Sequence, residues 1–231
     1  MERVVLPELL DVLPPQDASA RRSRRDLRRI NAWMNHPRLM ARALRENTPV
    51  HAARQIVELG AGDGHFLLGV ARRLYRRWPE AEATLVDRLD VLDPHVRGPF
   101  SRLGWRVRAE NAEASAWLRQ APPNPARAVI SNLFFHQFQK EPLAEMLRLA
   151  AGASRVVIAL EPRRSRPSRL CGRLLWVIGC NAVTRHDAHI SIRAGFSGGE
   201  LSALWPDKQN WRLTERPAGW FSHLFIARRE D

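Results

Sequence analysis

Three glycines at two-residue spacing, Gly60, Gly62 and Gly64, lie in the segment Val57-Glu58-Leu59-Gly60-Ala61-Gly62-Asp63-Gly64. Glycine reaches backbone angles barred to other residues and lets a ligand approach the main chain with no Cβ in the way. A helix starting just behind such a turn offers unpaired N–H groups to an anionic or polar ligand group. A dinucleotide turn needs G-x-G-x-x-G, with room for a pyrophosphate; the G-x-G-x-G spacing here argues for another ligand. Two further places carry chemistry-bearing side chains. His136, in Asn132-Leu133-Phe134-Phe135-His136-Gln137-Phe138, is a candidate general base, because an imidazole titrates near neutral pH. His186 and Asp187, in Thr184-Arg185-His186-Asp187-Ala188-His189, form a candidate pair assisting a substrate. His186 and His189 can share a helical face, but no third ligand at metal-site spacing is visible, so no metal is expected.

The elements that must hold these residues follow from the apolar pattern. Residues 18–36 read as a basic amphipathic helix with Leu27, Ile30 and Met34 on one stripe. Asn35-His36-Pro37 breaks it and starts a second helix, which stops near Asn47-Thr48-Pro49. From residue 55, strands and helices alternate. Strands are expected at 55–59, running straight into the glycine loop, at 83–86 closed by Asp87, at 105–109, at 128–132 and at 155–160. Helices are expected at 65–78, around 112–120 and around 142–151. Repeated β–α units imply a parallel sheet with helices on both faces and right-handed crossovers. The rhythm is lost after residue 162 for about fifty residues, and the chain closes on a hairpin, 211–216 and 220–227, around Pro217-Ala218-Gly219. Residues 1–50 are expected to form a helical extension or lid. Residues 51–231 would form the main domain, with an insert at about 163–200 whose apolar stretch, 174–183, supplies a wall for a substrate.

A chain of 231 residues suffices for one α/β domain with appendages. Two cysteines, Cys171 and Cys180, are too few for a disulfide framework and suggest a reduced, cytoplasmic protein. The first fifteen residues lack the unbroken apolar core of a signal peptide, and the longest apolar stretch is about half the ~20 residues that span a bilayer. The net charge of +13 invites a nucleic-acid or anionic-membrane reading. The basic residues are nearly all Arg, with Lys only at 140 and 208, and they are scattered along the chain as a genomic bias would scatter them. Denser runs lie at 21–29 and 163–169.

The glycine segment resembles the first motif of class I S-adenosylmethionine-dependent methyltransferases, E/D-x-G-x-G-x-G, without a mismatch. The resemblance implies an α/β fold with a seven-stranded, mostly parallel sheet and a C-terminal antiparallel hairpin. It implies that Glu58, Gly60, Ala61, Gly62 and Gly64 cradle S-adenosyl-L-methionine. Asp87, closing the second strand, would take the ribose hydroxyls, and Asn111-Ala112 would lie beside the adenine. Asn132, ending the fourth strand, would help hold the methionyl amine. The stretch around His136 is similar to the N-L-x-x-H-H-F form of small-molecule members, with Gln137 in place of the second His. It is not the N-P-P-Y form used on nucleic-acid or protein amide nitrogens. The expected partner is an apolar or aromatic small molecule, with no nucleic acid; peripheral membrane contact stays open, as does carbon methylation of a quinone ring. The expected reaction is O-methylation of a phenolic, quinone-like or polyketide acceptor. From a different class, a basic nucleic-acid- or membrane-surface-associated binding protein is the competing reading.

Overall fold

The computed structural model describes residues 2–48, 55–124, 126–168 and 177–230. Five parallel strands form first: β1 (Gln55–Leu59), β2 (Glu82–Asp87), β3 (Arg106–Asn111), β4 (Arg127–Asn132) and β5 (Val156–Pro162). The chain then ends in the hairpin β6 (Trp211–Ala218) and β7 (Ser222–Arg229). The sheet order is β3-β2-β1-β4-β5-β7-β6, with β7 antiparallel to both its neighbours. This is the expected seven-stranded arrangement. The hairpin turn falls two residues later than expected, since β7 starts at Ser222 and Gly219 takes the left-handed φ of +83° that the turn needs.

Both faces of the sheet are covered, so its central strands are buried throughout rather than alternating. Ile56, Ile130 and Ile158 face one core, completed by α3 (His36–Asn47) and α4 (His65–Leu74) through Met40, Leu44, Leu67 and Val70. Val57, Val129 and Val157 face the other, completed by α7 (Lys140–Ala153) through Leu143, Met146 and Leu147. Between them in the chain lie α5 (Arg97–Arg102) and α6 (Ala114–Gln120).

The N-terminal fifty residues divide in two. Met40 and Leu44 of α3 are fully buried in the main core, so that helix belongs to the body. The segment ahead of it holds α1 (Leu9–Val12) and α2 (Ala18–Trp33), which lie against α8 (Ala182–Ala194); α9 (Glu200–Leu204) follows. Asn35, at φ +57°, makes the sharp break between α2 and α3. Within the expected apolar wall, residues 174–176 lie outside the described residues, as does Cys171; Cys180 is free and buried.

Candidate active site

β1 pairs with β2 on one side and β4 on the other, so the chain reverses its direction of winding there and leaves a crevice beyond the strand ends. A cavity of about 730 Å³ opens at that point, roofed by α2. Its size falls in the range of about 300–1,000 Å³ usual for small-molecule sites.

One end is built by the glycine loop. Gly60, Gly62 and Gly64 all take positive φ, at +67°, +53° and +79°. Only Gly62 has open space where a Cβ would stand, so its backbone is bare to the cavity. A Cβ on Gly60 would clash with the Phe134 ring, and one on Gly64 would meet Leu92 at 2.7 Å. Gly64 therefore serves the turn behind the cavity and not its wall. Asp87 braces the loop by accepting the Gly62 N–H at 2.8 Å and the Leu89 N–H at 2.9 Å. Those bonds use two of the roughly four acceptor positions of its carboxylate. Glu58 is buried, and its Oε2 has no hydrogen-bond partner among the described residues. Burial, with Asp63 and Asp87 nearby, pushes its carboxyl well above the ordinary range.

The other end is built from distant parts of the chain. His136 is buried, and both its ring nitrogens meet carboxylates: Nδ1 meets Glu161 at 2.9 Å, and Nε2 meets Glu8 at 3.0 Å. Burial alone would depress its pKa, but the two carboxylates outweigh that and raise it to about 9. At neutral pH the ring therefore carries a proton on each nitrogen. Glu161 also accepts the backbone N–H groups of Phe134, Phe135 and His136, and so shapes the whole loop after β4. In that loop Leu133 is held at φ +55°, a costly angle for a branched side chain. Asp187 lines the cavity, and its carboxylate takes the Leu9 and Leu10 N–H groups at 2.8 and 2.9 Å, capping α1.

The structure thus gathers Glu58, Gly60, Ala61, Gly62, Asp87, Ala112, Asn132, His136 and Asp187 around one cavity. Three expected site residues stand apart from it: Gly64, which lies behind the cavity wall, Asn111 and His186. Asn111 is exposed, its side-chain amide donating to the Arg88 carbonyl at 3.4 Å. His186 faces outward and touches Asp187 at 3.1 Å. Among the described residues no group of three His, Cys, Asp or Glu side chains is placed to hold a metal.

Several lining groups were not singled out from the sequence. Glu8 reaches in from the N-terminal strap, and Arg28 of α2 pairs with Asp63 of the glycine loop at 3.1 Å. Arg24, with one guanidinium nitrogen unpartnered among the described residues, also lines the cavity. His36 donates from Nδ1 to the Asn132 side chain and accepts from the Ser222 hydroxyl, both at 2.7 Å, pinning the α2–α3 break to the ends of β4 and β7. Burial lowers its pKa to about 4, so it stays neutral. The acid–Gly-x-Gly pattern could be seen in the sequence. Nothing local marked Glu8, Glu161 or His36.

No family model matches the chain. It is 28% identical over 170 residues to the ribosomal RNA large subunit methyltransferase G of Aeromonas salmonicida, covering 71% of this chain and 38% of that protein. The chain thus spans well under half the length of that relative. Solved structures are similar over nearly all of it. An O-methyltransferase family protein from Burkholderia thailandensis superposes with a TM-score of 0.62 at 18% identity, covering 94% of this chain and 62% of that one. The plantazolicin methyltransferase BpumL, solved with SAH, gives 0.65 at 11% identity over 93% and 92% of the two chains. The mitomycin 7-O-methyltransferase MmcR gives 0.60 at 18% identity, over 96% and 60%. With its strand order, its terminal hairpin and a glycine loop at the switch point, the chain has the fold of the class I S-adenosylmethionine-dependent methyltransferases.

Proposed function

We propose that the chain is an S-adenosylmethionine-dependent methyltransferase acting on a small molecule, with oxygen of a phenolic, quinone-like or polyketide scaffold as the acceptor. The observation that carries the reading is one cavity with two unlike ends. The unpartnered Glu58 carboxyl and the bare Gly62 backbone lie at one end, and the His136 dyad at the other. The residues fit the cofactor on this structure's own terms. A buried carboxyl without a partner is costly, and an ammonium group is what would satisfy it. Glu58, Gly60 and Gly62 would hold the methionyl end, Asp87 the ribose hydroxyls with its unused lone pairs, and Ala112 the edge of the base. When bound, S-adenosylmethionine supplies a methyl group already activated on sulfur.

The protein's own contribution is alignment, dryness and proton handling. Orientation alone can be worth an effective molarity of order 10⁵–10⁸ M, and α2 closes the cavity with Leu27, Ile30 and Asn31. His136 is doubly protonated while Glu8 sits on Nε2, so in this arrangement it orients the acceptor end and abstracts nothing. Withdrawal of the strap takes away one of its two carboxylates and returns Nε2 toward a proton acceptor. Carbon methylation of a quinone ring would use the same parts. Thermal shift with S-adenosylhomocysteine tests the cofactor, and transfer of labelled methyl to phenolic and quinol acceptors tests the reaction. Stabilisation and labelling are expected; no stabilisation at any concentration would overturn the reading.

A further inference from the structure

We propose that the outer face of α2, with the segment before α8 and the β6–β7 turn, docks this protein on an anionic lipid membrane. The inference is independent of the methyl-transfer reading, because it rests on the outer surface of α2 and not on the cavity. Arg21, Arg25 and Arg29 recur every four residues, and with Arg22 they form an exposed row along one side of a helix. Among the described residues Arg21 and Arg25 have no ion pair; Arg29 reaches only Asp26, at 3.9 Å, and Arg22 donates to the Gly179 carbonyl at 3.3 Å. The single acid of α2, Asp26, offsets one of these charges and leaves the row basic. Asp26 is buried beneath it, accepting from Asn181 and Thr184.

Large apolar side chains stand exposed at both ends of this row. Trp33 is 66% exposed and stacks on Phe221 at 5.3 Å, which places the neighbouring Trp220, 71% exposed, beside the C-terminus of α2. Val177 and Ile178, 61% and 53% exposed, lie at the other end, tied there by the Arg22–Gly179 bond.

Cations flanked by indoles and aliphatic side chains match the headgroup and acyl layers of an anionic bilayer. Arginine stems lie along apolar surface while their heads stay wet, and indoles favour the interface. A nucleic acid would use the arginines and could stack on the indoles, but Val177 and Ile178 gain nothing from phosphate or base edges. An acyl layer rewards their burial. The opposite face of α2 roofs the cavity, and Trp33 and Phe221 belong to both the surface and the cavity rim. Docking therefore sets the cavity rim against the membrane.

Co-sedimentation of the full chain tests this with vesicles of phosphatidylcholine alone and of phosphatidylcholine with phosphatidylglycerol. Pelleting is expected with the anionic vesicles only, weakening as salt rises. The triple variant Arg21→Glu, Arg25→Glu, Arg29→Glu should lose at least ~100-fold in partitioning, at about fivefold per charge. Ile178→Ser with Trp220→Ser should lose roughly 5–10-fold while keeping the salt dependence. All five positions are exposed, so unchanged thermal melts of the variants exclude unfolding as the cause. Absent pelleting, equal pelleting on neutral vesicles, or tight arginine-dependent binding of single-stranded RNA without vesicle binding would overturn the proposal.

Discussion

The two ends of the cavity are built by opposite strategies. The glycine-loop end is local: Glu58, Gly60 and Gly62 sit within five residues, and Asp87 ends the adjacent strand at 2.8 Å from the Gly62 nitrogen. The His136 end is assembled from far-apart segments. Glu8 and His136 are 128 positions apart, Glu161 follows His136 by 25, and Leu9 meets Asp187 across 178. A local turn is fixed by backbone angles and fails by strain or by blocking the ligand. A long-range polar cluster is fixed by hydrogen bonds among buried groups and fails when one partner leaves the others unsatisfied. The comparison makes distinct predictions for each end.

The largest effect belongs to the assembled end. Glu161 is fully buried and accepts three backbone N–H groups and the His136 ring. Glu161→Ala strips those donors of their acceptor and leaves a buried cation with one partner fewer, at a cost of roughly 3–5 kcal/mol. Urea unfolding should show it as a lower midpoint with an unchanged slope. A loss below 1 kcal/mol would mean that water replaces the carboxylate, and that the loop does not depend on it.

Next comes the local end. Gly62→Val adds a branched side chain at φ +53° in space that is open in this structure. The strain should cost about 1–3 kcal/mol of stability. Affinity for S-adenosylhomocysteine, followed by titration calorimetry, should fall by ~100-fold or more, because the Cβ and beyond fill the ligand's approach to the backbone. Comparable binding in the variant would place the cofactor elsewhere in the cavity.

The same contrast explains what the sequence revealed. β1 is found at the expected 55–59, and the expected turn follows it, because strand periodicity and glycine spacing are local signals. The long irregular region after residue 162 hides α8, whose buried positions are Thr184, Asp187, Ile190 and Ala194. That helix packs through polar anchors: the Ser23 and Thr184 hydroxyls meet at 2.8 Å, and Thr184 donates to Asp26 at 3.2 Å. No apolar stripe marks such a face, so periodicity passes over it. Glu161 follows the expected 155–160 strand directly, with no local sign of a role. Its role depends on β5 lying beside β4, which puts the carboxylate under the loop that leaves β4. Glu8 and Arg28 act across the same kind of distance, and only the folded N-terminal segment brings them to the cavity.

A smaller effect follows from replacing Glu8. In the folded chain His136 titrates at about 9, above the ~6.5 of an unfolded histidine. Its stabilisation is therefore complete below about pH 6.5 and is lost as pH rises through 9. His36 runs the other way: its value of about 4 lies below the unfolded one, so its stabilisation is present above about pH 6.5 and is lost as pH falls toward 4. Glu8→Gln removes one of the two carboxylates on His136 and should bring its titration, followed by NMR of the ring, down by about a unit or more. Stability above pH 7 should then vary less with pH, by roughly 1–2 kcal/mol. An unmoved titration would show that Glu161 alone holds the proton.

The smallest effect tests whether the strap is a separable part of the assembled end. Asp187 caps the one-turn helix α1 through the Leu9 and Leu10 N–H groups, and Glu8 immediately precedes that cap. Asp187→Asn keeps the shape but exchanges a charged acceptor for a neutral one, a change of about 1 kcal/mol, in the range of a helix cap. A strap residue such as Leu9, 38% exposed, has little burial to hold it once the cap weakens. Amide exchange over residues 8–12 should therefore accelerate about fivefold, while exchange in β1, β4 and β5 stays at the wild-type rate. The His136 titration should fall toward the Glu8→Gln value only in proportion to the time Glu8 spends away from Nε2. Uniform acceleration across the sheet would mean that the strap and the body open together. In that case the assembled end would be a cooperative part of the core, with no gate of its own.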